Sequence, residues 1–358
     1  MKKIAVVGAG ISGLSMANYL EKHQIDYHIY ERRKKEDLAG HGFLIPKEGM
    51  DYLYQIIDSD LLHRHGSFLK KYTQYSHTGK ILAEKELDNV FAITRHSLID
   101  LLAQNISPEK IIYEETVIPD DQQNGKLKLS DGTYIDADIA VISDGSRSRI
   151  RKHFFKDESM KVVQESEVVN IIQNKEIADS IEHDFMKFHH EEGGLTFGIL
   201  KLSDDTILWY SQFDNKKYTI NECSAENLRK YMLEVFENWH PLVPEIIQKS
   251  KYKNVHLWNV YELENLNPFY HENFVFIGDA AHPLIPFTSQ GVTSALKDSF
   301  SLTKYLVEED NIQAAFSKYE SERKPEIEVH ISNGRILLNQ FLLPLNQQTE
   351  NIIPISYK

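Results

Sequence analysis

The feature that most constrains this chain is a run of glycines directly after its first apolar segment. Residues Lys3 to Val7 have the pattern of a buried parallel strand, and Gly8-Ala9-Gly10-Ile11-Ser12-Gly13 follows them. Apolar residues then recur at helical spacing from Ile11 to His23, and a second strand is predicted from Tyr27 to Tyr30. The order of strand, glycine turn, helix and strand predicts a βαβ unit.

Each glycine of this run has a physical use in binding a dinucleotide. Gly8 permits the tight turn, Gly10 lets a pyrophosphate approach the positive helix N-terminus, and Gly13 allows close helix–strand packing. Glu31, at the end of the second strand, is placed to accept hydrogen bonds from a ribose diol. An acid at this position disfavours the 2′-phosphate of NADP. The pattern therefore favours FAD or NAD over a merely glycine-rich turn.

Composition excludes several other classes of protein. The chain has 358 residues, enough for about two domains, and a formal net charge of −13, which gives no global attraction for nucleic acid. Its one cysteine, Cys223, cannot form an intramolecular disulfide, so we expect a reducing, cytoplasmic location. We expect no membrane span, because no apolar run approaches ~20 residues, and no metal site, because no Cys/His cluster has zinc spacing.

The middle of the chain has a different pattern from its ends. Helices are predicted at 48–63 and 95–104, and consecutive strands at 162–172, 184–190, 195–202 and 207–213. The α/β pattern returns with a strand at 274–277 and a helix at 292–306. We therefore predict an α/β protein in which a mostly antiparallel sheet is inserted into a Rossmann-like domain, with helices at the C-terminal end.

Two further motifs follow predicted strands and give the chain its resemblance to a known family. The strand at 138–143 leads into Asp144-Gly145-Ser146-Arg147-Ser148-Arg149-Ile150-Arg151, and the strand at 274–277 into Gly278-Asp279-Ala280-Ala281-His282-Pro283. With the glycine run, these segments resemble the single-component flavin-dependent aromatic hydroxylases of the p-hydroxybenzoate hydroxylase type, in the same order. The resemblance extends from Met1 to about Tyr305. Arg95, in Thr94-Arg95-His96-Ser97-Leu98, matches the Arg-x-x-Leu segment of that family.

The resemblance implies a discontinuous FAD-binding domain and a set of cofactor residues. The implied domains are 1–72, 92–160 and 262–325 for FAD, 73–91 and 161–261 for substrate, and a helical segment at 326–358. The predicted FAD-binding residues are Gly8, Gly10, Ser12, Gly13, Glu31, Arg32, Arg95, Asp144, Gly278, Asp279, Pro286, Gly291 and Val292.

A loop before the last predicted helix is expected to position the flavin. The family commonly has Gly-Gln-Gly and then Asn after a proline, whereas this chain has Ser289-Gln290-Gly291 and Thr293 after Pro286. A helix that begins near Val292 would direct its positive end at the reduced flavin ring. We predict Pro286, Gln290 and Gly291 as positioning residues and name no catalytic side chain.

Four residues are predicted to contact substrate: Trp209 and Phe213 on a central strand, and Phe287 and Thr288 on the flavin loop. On the strand, Trp209, Ser211 and Phe213 share one face, and Leu208, Tyr210 and Gln212 share the other. The sequence leaves open which of these two faces lines the pocket and which packs in the core.

The family resemblance implies an FAD-dependent monooxygenase that uses NADPH or NADH and O₂. It would hydroxylate a small or medium aromatic or polyketide-like molecule through a C4a-hydroperoxyflavin. The smaller bacterial members, including the tetracycline-inactivating enzymes, are the most similar in organisation. Two alternatives stay open: a related FAD halogenase or reductase, although the halogenase segment Trp-x-Trp-x-Ile-Pro does not occur, and a non-catalytic FAD-containing ligand-binding protein.

Overall fold

The computed structural model describes residues 2–35, 41–120, 126–156, 160–181, 183–220, 224–252 and 255–348. Its strands are β1 Lys3–Val7, β2 Asp26–Glu31, β3 Gly42–Ile45, β4 Gly66–Ser76, β5 Ile81–Thr94, β6 Ile111–Tyr113, β7 Val117–Pro119, β8 Leu127–Leu129, β9 Ile139–Ile142, β10 Met160–Gln173, β11 Asp184–His189, β12 Leu195–Lys201, β13 Thr206–Phe213, β14 His256–Leu263, β15 Tyr270–His271 and β16 Phe274–Phe276. Its helices are α1 Ile11–Lys22, α2 Lys47–Leu53, α3 Ser59–His63, α4 Arg95–Ala103, α5 Arg149–Phe154, α6 Lys175–Ser180, α7 Ala225–Val235, α8 Leu242–Lys249, α9 Gly291–Glu308 and α10 Ile312–Leu342.

The first and last parts of the chain build one largely parallel sheet. Its six strands have the order β15-β16-β9-β1-β2-β6, and only the β15–β16 pair is antiparallel among the pairs of this sheet. β1 and β9 are almost wholly buried, which explains why they read as continuous apolar runs. This sheet confirms the predicted Rossmann-like α/β class, and its strand order brings β1, β9 and β16 side by side.

The middle of the chain builds a second sheet of eight strands, ordered β14-β10-β13-β12-β11-β4-β5-β3. Neighbouring strands are antiparallel except for β11 and β4, which run parallel. One face packs on α7 and α8 through a core that includes Phe197, Trp209 and Phe236. The other face is directed at the first sheet's loops and carries the residues described below.

The second sheet takes in more of the chain than the sequence indicated. The predicted boundaries at 72–73 and 91–92 fall inside β4 and β5, which pair with each other from Gly66–Ile93 to Tyr75–Ile81. The single predicted helix at 48–63 is two helices, because the chain turns after α2 and Asp58 caps α3 by accepting a hydrogen bond from the Leu61 amide at 2.8 Å. No helix in the described parts of the chain is both long and apolar enough to cross a membrane.

Close packing at the start of α1 depends on a missing side chain. A Cβ at Gly13 would lie 1.9 Å from the carbonyl oxygen of Gly8 and 2.7 Å from the Ser143 hydroxyl oxygen. A Cβ at Gly10, three residues earlier, would have only the Arg95 guanidinium within reach, at 4.0 Å. Gly13 is therefore needed for close packing, whereas Gly10 leaves an open surface at the start of α1.

We predict that Gly13→Ala destabilises the cofactor-free protein by about 1–3 kcal/mol or more, because the added methyl group overlaps backbone atoms that cannot move freely. Gly10→Ala is the matched control and should leave the melting temperature nearly unchanged. Thermal melts of both variants, freed of cofactor, provide the measurement. Equal melting temperatures for the two variants would contradict the packing role of Gly13.

Candidate cofactor and substrate site

The turns after β1, β9 and β16 meet at one edge of the six-stranded sheet. A Cβ at Gly8, where φ is +106°, would lie 2.5 Å from the Ser143 carbonyl oxygen, and a Cβ at Gly278, where φ is +56°, would lie 2.0 Å from the Ser12 hydroxyl oxygen. The Ser143 hydroxyl donates a hydrogen bond to the Val7 carbonyl at 2.8 Å. The three motifs recognised in the sequence are thus joined by contacts that leave no room for larger residues.

Glu31 is held against the glycine turn by backbone amides. Its carboxylate oxygens accept hydrogen bonds from the Ala9 amide at 2.8 Å and the Arg33 amide at 2.9 Å, and the side chain is buried. Each oxygen keeps a further lone pair, so the acid is fixed in place and still able to accept from a ribose hydroxyl. The neighbouring Arg32 is exposed to solvent.

Arg95 and Asp279 face each other across the same edge. Burial lowers the pKa of Arg95, while the charges of Asp279 and Glu31 oppose that shift. The Asp279 side chain is partly open to solvent although protein surrounds it, so it lies in a cleft. Burial raises the pKa of Asp279, while the charges of His282 and Arg95 act to lower it. Gly10 opens onto this cleft beside the Arg95 guanidinium.

The turn that carries Asp279 is fixed by a carboxylate that the sequence did not reveal as important. Asp298, on α9, accepts hydrogen bonds from the Gly278 amide at 2.7 Å, from His282 Nε2 at 2.6 Å and from Arg323 Nε at 2.8 Å. It is fully buried, yet the pKa of Asp298 is about 2, because His282 and Arg323 outweigh the opposing effect of burial. Asp298 therefore ties the Gly278 turn to both C-terminal helices.

The Asp144 motif serves chiefly to connect two turns. Arg151, which is 1% exposed, donates to the carbonyls of Asp279 at 3.1 Å, Ala280 at 2.7 Å and Ser146 at 2.6 Å. One Asp144 oxygen accepts from the Arg149 amide at 3.2 Å, at the start of α5. Burial raises the pKa of Asp144. Arg151 was not among the predicted site residues, although it ends the segment from Asp144 that the sequence analysis quotes.

The predicted flavin loop runs over the cleft and into α9. Ser289 has φ +54°, a left-handed conformation that a glycine adopts without strain and that explains the glycine common in the family at this point. Gly291 begins α9 and is exposed, and a Cβ there would meet no atom within 4 Å. Pro286 is also exposed, and Val292 is buried behind the helix start.

Phe287 and Thr288 point inward from this loop. The Phe287 ring packs on Phe341 with centroids 5.5 Å apart, and Lys187 Nζ of the second sheet lies 5.9 Å from its centroid. The hydroxyl of Thr288 and the side-chain carbonyl of Gln290 are buried without a hydrogen-bond partner among the described residues. The loop and the second sheet therefore form two walls that meet at Phe287 and Lys187.

The structure corrects the placement of Trp209 and Phe213. Both are fully buried in the core beneath α7 and α8, where Trp209 stacks on Phe197 at 5.2 Å and donates from its indole nitrogen to Ser250 at 2.8 Å. Alternation along β13 turns their side chains away from Phe287. Tyr210 and Gln212 lie on the opposite face of β13, away from the core that contains Trp209.

The face opposite Phe287 carries buried polar groups from neighbouring strands. Lys187 Nζ donates to Gln212 Oε1 at 2.7 Å, and Gln212 Nε2 donates to Glu167 at 3.0 Å. Burial raises the pKa of Glu167 to about 7 and lowers the pKa of Lys187 to about 8, each opposed by the other's charge. The sequence did contain a signal for this surface, because Glu167 and Lys187 are charged residues within strands that are otherwise mostly apolar.

Together these walls fit a long dinucleotide cofactor. At one end lie the glycine turn and the fixed Glu31, in the middle Arg95 and Asp279, and at the other end the open space at Gly291. The open space beside Gly10 and Gly291 would let a ligand approach the backbone amides at the N-termini of α1 and α9. The residues present therefore suit FAD.

Comparisons with known proteins agree with this geometry. The FAD binding domain family model matches residues 1–333. The 6-hydroxynicotinate 3-monooxygenase of Pseudomonas fluorescens is 26% identical over 337 residues, covering 90% of this chain and 87% of that protein. Klebsiella pneumoniae HpxO, solved with FAD and uric acid, has a TM-score of 0.88 at 18% identity, covering 97% of this chain and 90% of that chain. Tetracycline destructase Tet(51) has a TM-score of 0.74 at 18% identity, with 96% and 92% covered.

The fold and the cleft define a flavoprotein, and FAD is its cofactor. The chain belongs to the FAD binding domain family, among the FAD-dependent aromatic monooxygenases. The family, fold class and cofactor predicted from the sequence are confirmed, and the protein is an oxidoreductase.

We predict that Asp298→Asn lowers the free energy of unfolding by about 3–5 kcal/mol at neutral pH, because it leaves buried His282 and Arg323 facing a neutral amide. The folded-state pKa of Asp298, about 2, lies below the unfolded value of about 4. Its stabilising effect is therefore present above pH about 4 and is lost as the pH falls towards about 2. Denaturant unfolding of both proteins between neutral and acid pH measures this. A stability difference that stays constant down that range would contradict the assignment.

Proposed function

We propose that this protein is a monooxygenase that uses NADPH or NADH and O₂ to hydroxylate a small or medium aromatic or polyketide-like substrate. The observation that carries the proposal is that Glu31, Arg95 and Asp279 lie near one another at one edge of the six-stranded sheet, and that the loop between Asp279 and Gly291 contacts the polar face of the second sheet, with Lys187 Nζ 5.9 Å from the Phe287 ring centroid. We further propose that the first sheet's domain binds FAD, that the second sheet binds substrate, and that the protein is cytoplasmic.

The bound cofactor supplies the redox chemistry, taking electrons from the nicotinamide and activating oxygen. The chain's part is to bind, orient and exclude water. In this proposal Glu31 accepts from the ribose, Arg95 neutralises phosphate charge, and Asp279 accepts from hydroxyl groups of the ribityl chain. The N-terminus of α9 provides positive potential beside Gly291 for a ring that becomes anionic.

Exclusion of water is the task we assign to the walls around Gly291. Phe287 is 4% exposed and packs on Phe341, so apolar packing closes the loop side of this region to water next to the proposed flavin position. Water at this point would favour loss of peroxide over oxygen transfer. On the facing wall, Tyr210 lies flat over Gly198, where a Cβ would come within 2.2 Å of its ring. Aromatic surfaces on both walls support an aromatic substrate.

The electron donor is proposed to bind transiently. The sequence contains one dinucleotide fingerprint, and Glu31 and the glycine turn form the FAD end of the cleft. We therefore assign no resident nicotinamide site. The named relatives support a small ring substrate: the Pseudomonas fluorescens relative is named for 6-hydroxynicotinate, and the HpxO structure contains uric acid.

A non-catalytic FAD-containing binding protein is the second candidate, and isotope labelling separates the two. The FAD-loaded protein is supplied with NADPH or NADH, ¹⁸O₂ and a panel of aromatic and polyketide compounds. We expect compound-stimulated oxidation of the nicotinamide and one ¹⁸O atom in a product. Tight binding of a compound with neither effect would favour the binding protein.

We predict that Gly291→Val folds normally but impairs flavin reduction or later oxygen chemistry, because its side chain enters space that is empty of protein atoms. Stopped-flow flavin absorbance, measured beside a thermal melt of the cofactor-free variant, tests this. Normal flavin kinetics in a folded variant would place the loop away from the flavin ring.

We predict that Gly10→Val reduces FAD affinity much more than Glu31→Gln. Valine would fill the surface at which the pyrophosphate approaches the α1 N-terminus, whereas glutamine keeps one acceptor oxygen. Titration of the cofactor-free variants with FAD gives both dissociation constants. Unchanged affinity in both variants would remove the N-terminal turn from the FAD site.

A further inference from the structure

The wall that faces Phe287 contains more carboxyl groups than ammonium groups. We name as the sheet-face cluster the side chains of Glu165 and Glu167 on β10, Lys187 on β11 and Gln212 on β13. Glu165, Lys187 and Gln212 are 0%, 5% and 2% exposed. Lys187 Nζ lies 5.9 Å from the Phe287 ring centroid, so the cluster is directed at the flavin loop.

Charge is incompletely balanced within the cluster. Two carboxyl groups face a single ammonium group, and Gln212 stands between that ammonium and Glu167. His189, the next pocket-facing residue of β11, adds no positive charge, because burial and Lys187 hold its pKa well below the usual value. Burial and the charge of Glu167 raise the pKa of Glu165 well above its usual range, because Lys187 alone does not offset the cost of burying two neighbouring carboxyl groups.

Unpartnered polar atoms mark the same place independently of charge. Neither oxygen of Glu165 has a hydrogen-bond partner of ordinary geometry among the described residues, although the Gln212 amide is close enough to affect its pKa. His189 Nε2 is likewise buried without a partner, and so is the hydroxyl of Thr288 on the opposite wall. Buried polar groups are rarely left unpaired in a protein that has no ligand to meet them.

Glu167, His189 and Tyr210 are the parts of this wall that a ligand can reach. All three are partly exposed although protein surrounds them. Tyr210 supplies an aromatic surface beside Lys187, whose Nζ lies 5.6 Å from the ring centroid. Tyr72 and Phe185 continue this face as an apolar region, with centroids 5.0 Å apart. The cleft thus offers a flat apolar area with acceptor oxygens at one end.

Resting on the function proposed above, we propose that the substrate is an aromatic or heteroaromatic compound that presents an N–H donor, cationic or neutral, to Glu167, the carboxyl group of the cluster that a ligand can reach, and carries no carboxylate at that end. A cation would supply the positive charge that the cluster lacks, and a neutral N–H would satisfy a carboxylate oxygen. A substrate carboxylate would add a third acidic group beside one ammonium that Gln212 already engages. In a poorly solvated site such an anion is repelled strongly.

The test uses one ring system in three charge states. The FAD-loaded protein is titrated at neutral pH with 4-aminoquinoline, which is cationic, with 4(1H)-quinolone, which is neutral, and with 4(1H)-quinolone-2-carboxylate, which is anionic. Perturbation of the flavin absorbance spectrum reports binding. We expect the cationic and neutral probes to bind at least about tenfold more tightly than the anion, a difference of about 1.4 kcal/mol.

Two variants separate charge recognition from loss of structure. Glu167→Gln should reduce the preference for the cation over the anion to within about threefold, because it removes the accessible carboxylate. Glu86→Gln makes the same replacement at an exposed position on β5 of the same sheet and should leave the preference unchanged. Thermal melts of both loaded variants verify that they are folded.

Preferential binding of the anion, equal binding of all three probes, or no binding by any of them would each overturn the inference. These results are distinguishable from failure of the proposed function. A protein that holds FAD and oxidises NADPH or NADH but prefers the anion retains that function and loses only the assigned substrate class. A protein that fails to retain FAD fails at the earlier step.

Discussion

The structure depends on close backbone approach at one edge of the six-stranded sheet. Gly8, Gly13 and Gly278 each bring main-chain or hydroxyl oxygens within a distance that a Cβ would violate, and so the turns after β1, β9 and β16 converge. Without that convergence, Glu31, Arg95 and Asp279 would not line one cleft. The glycine run thus acts twice, because it packs helix α1 on the sheet and leaves an open surface at Gly10 for the cofactor.

Two groups of buried charges in this protein differ in their hydrogen-bond balance. The Asp298 carboxylate accepts hydrogen bonds from a backbone amide, an imidazole and a guanidinium, and these partners keep its pKa low. Glu165 is equally buried, but its oxygens have no such partners among the described residues, and its pKa is raised. A buried carboxyl group whose hydrogen bonds are all made holds its neighbours in place, whereas one without partners destabilises the folded protein. From that contrast we infer that Asp298 positions the Asp279 turn and that the cluster around Glu165 binds a ligand.

The sequence predicted the βαβ opening, the family and the cofactor because those depend on local patterns, namely glycines between a strand and a helix and short motifs after strands. The family resemblance placed 73–91 with the central strands, but it did not predict that the pairing of β4 and β5 extends to Gly66 and Ile93, since strand pairing is a long-range property. Trp209 was expected at the ligand because alternation defines two faces without saying which one the helices cover. Asp298 acts through partners distant in sequence, so no spacing revealed it, whereas Arg151 ends a quoted motif and was only left out of the predicted site.

We propose that one continuous cleft holds FAD with its flavin between the Gly291 loop and the sheet-face cluster. A crystal structure of the FAD-loaded protein tests this most directly. We expect the adenosine ribose at Glu31, the pyrophosphate beside Gly10 and Arg95, and the flavin ring between Gly291 and the wall formed by Tyr210 and Glu167. Density that places the flavin ring outside these walls, or the adenosine away from Glu31, would contradict the account.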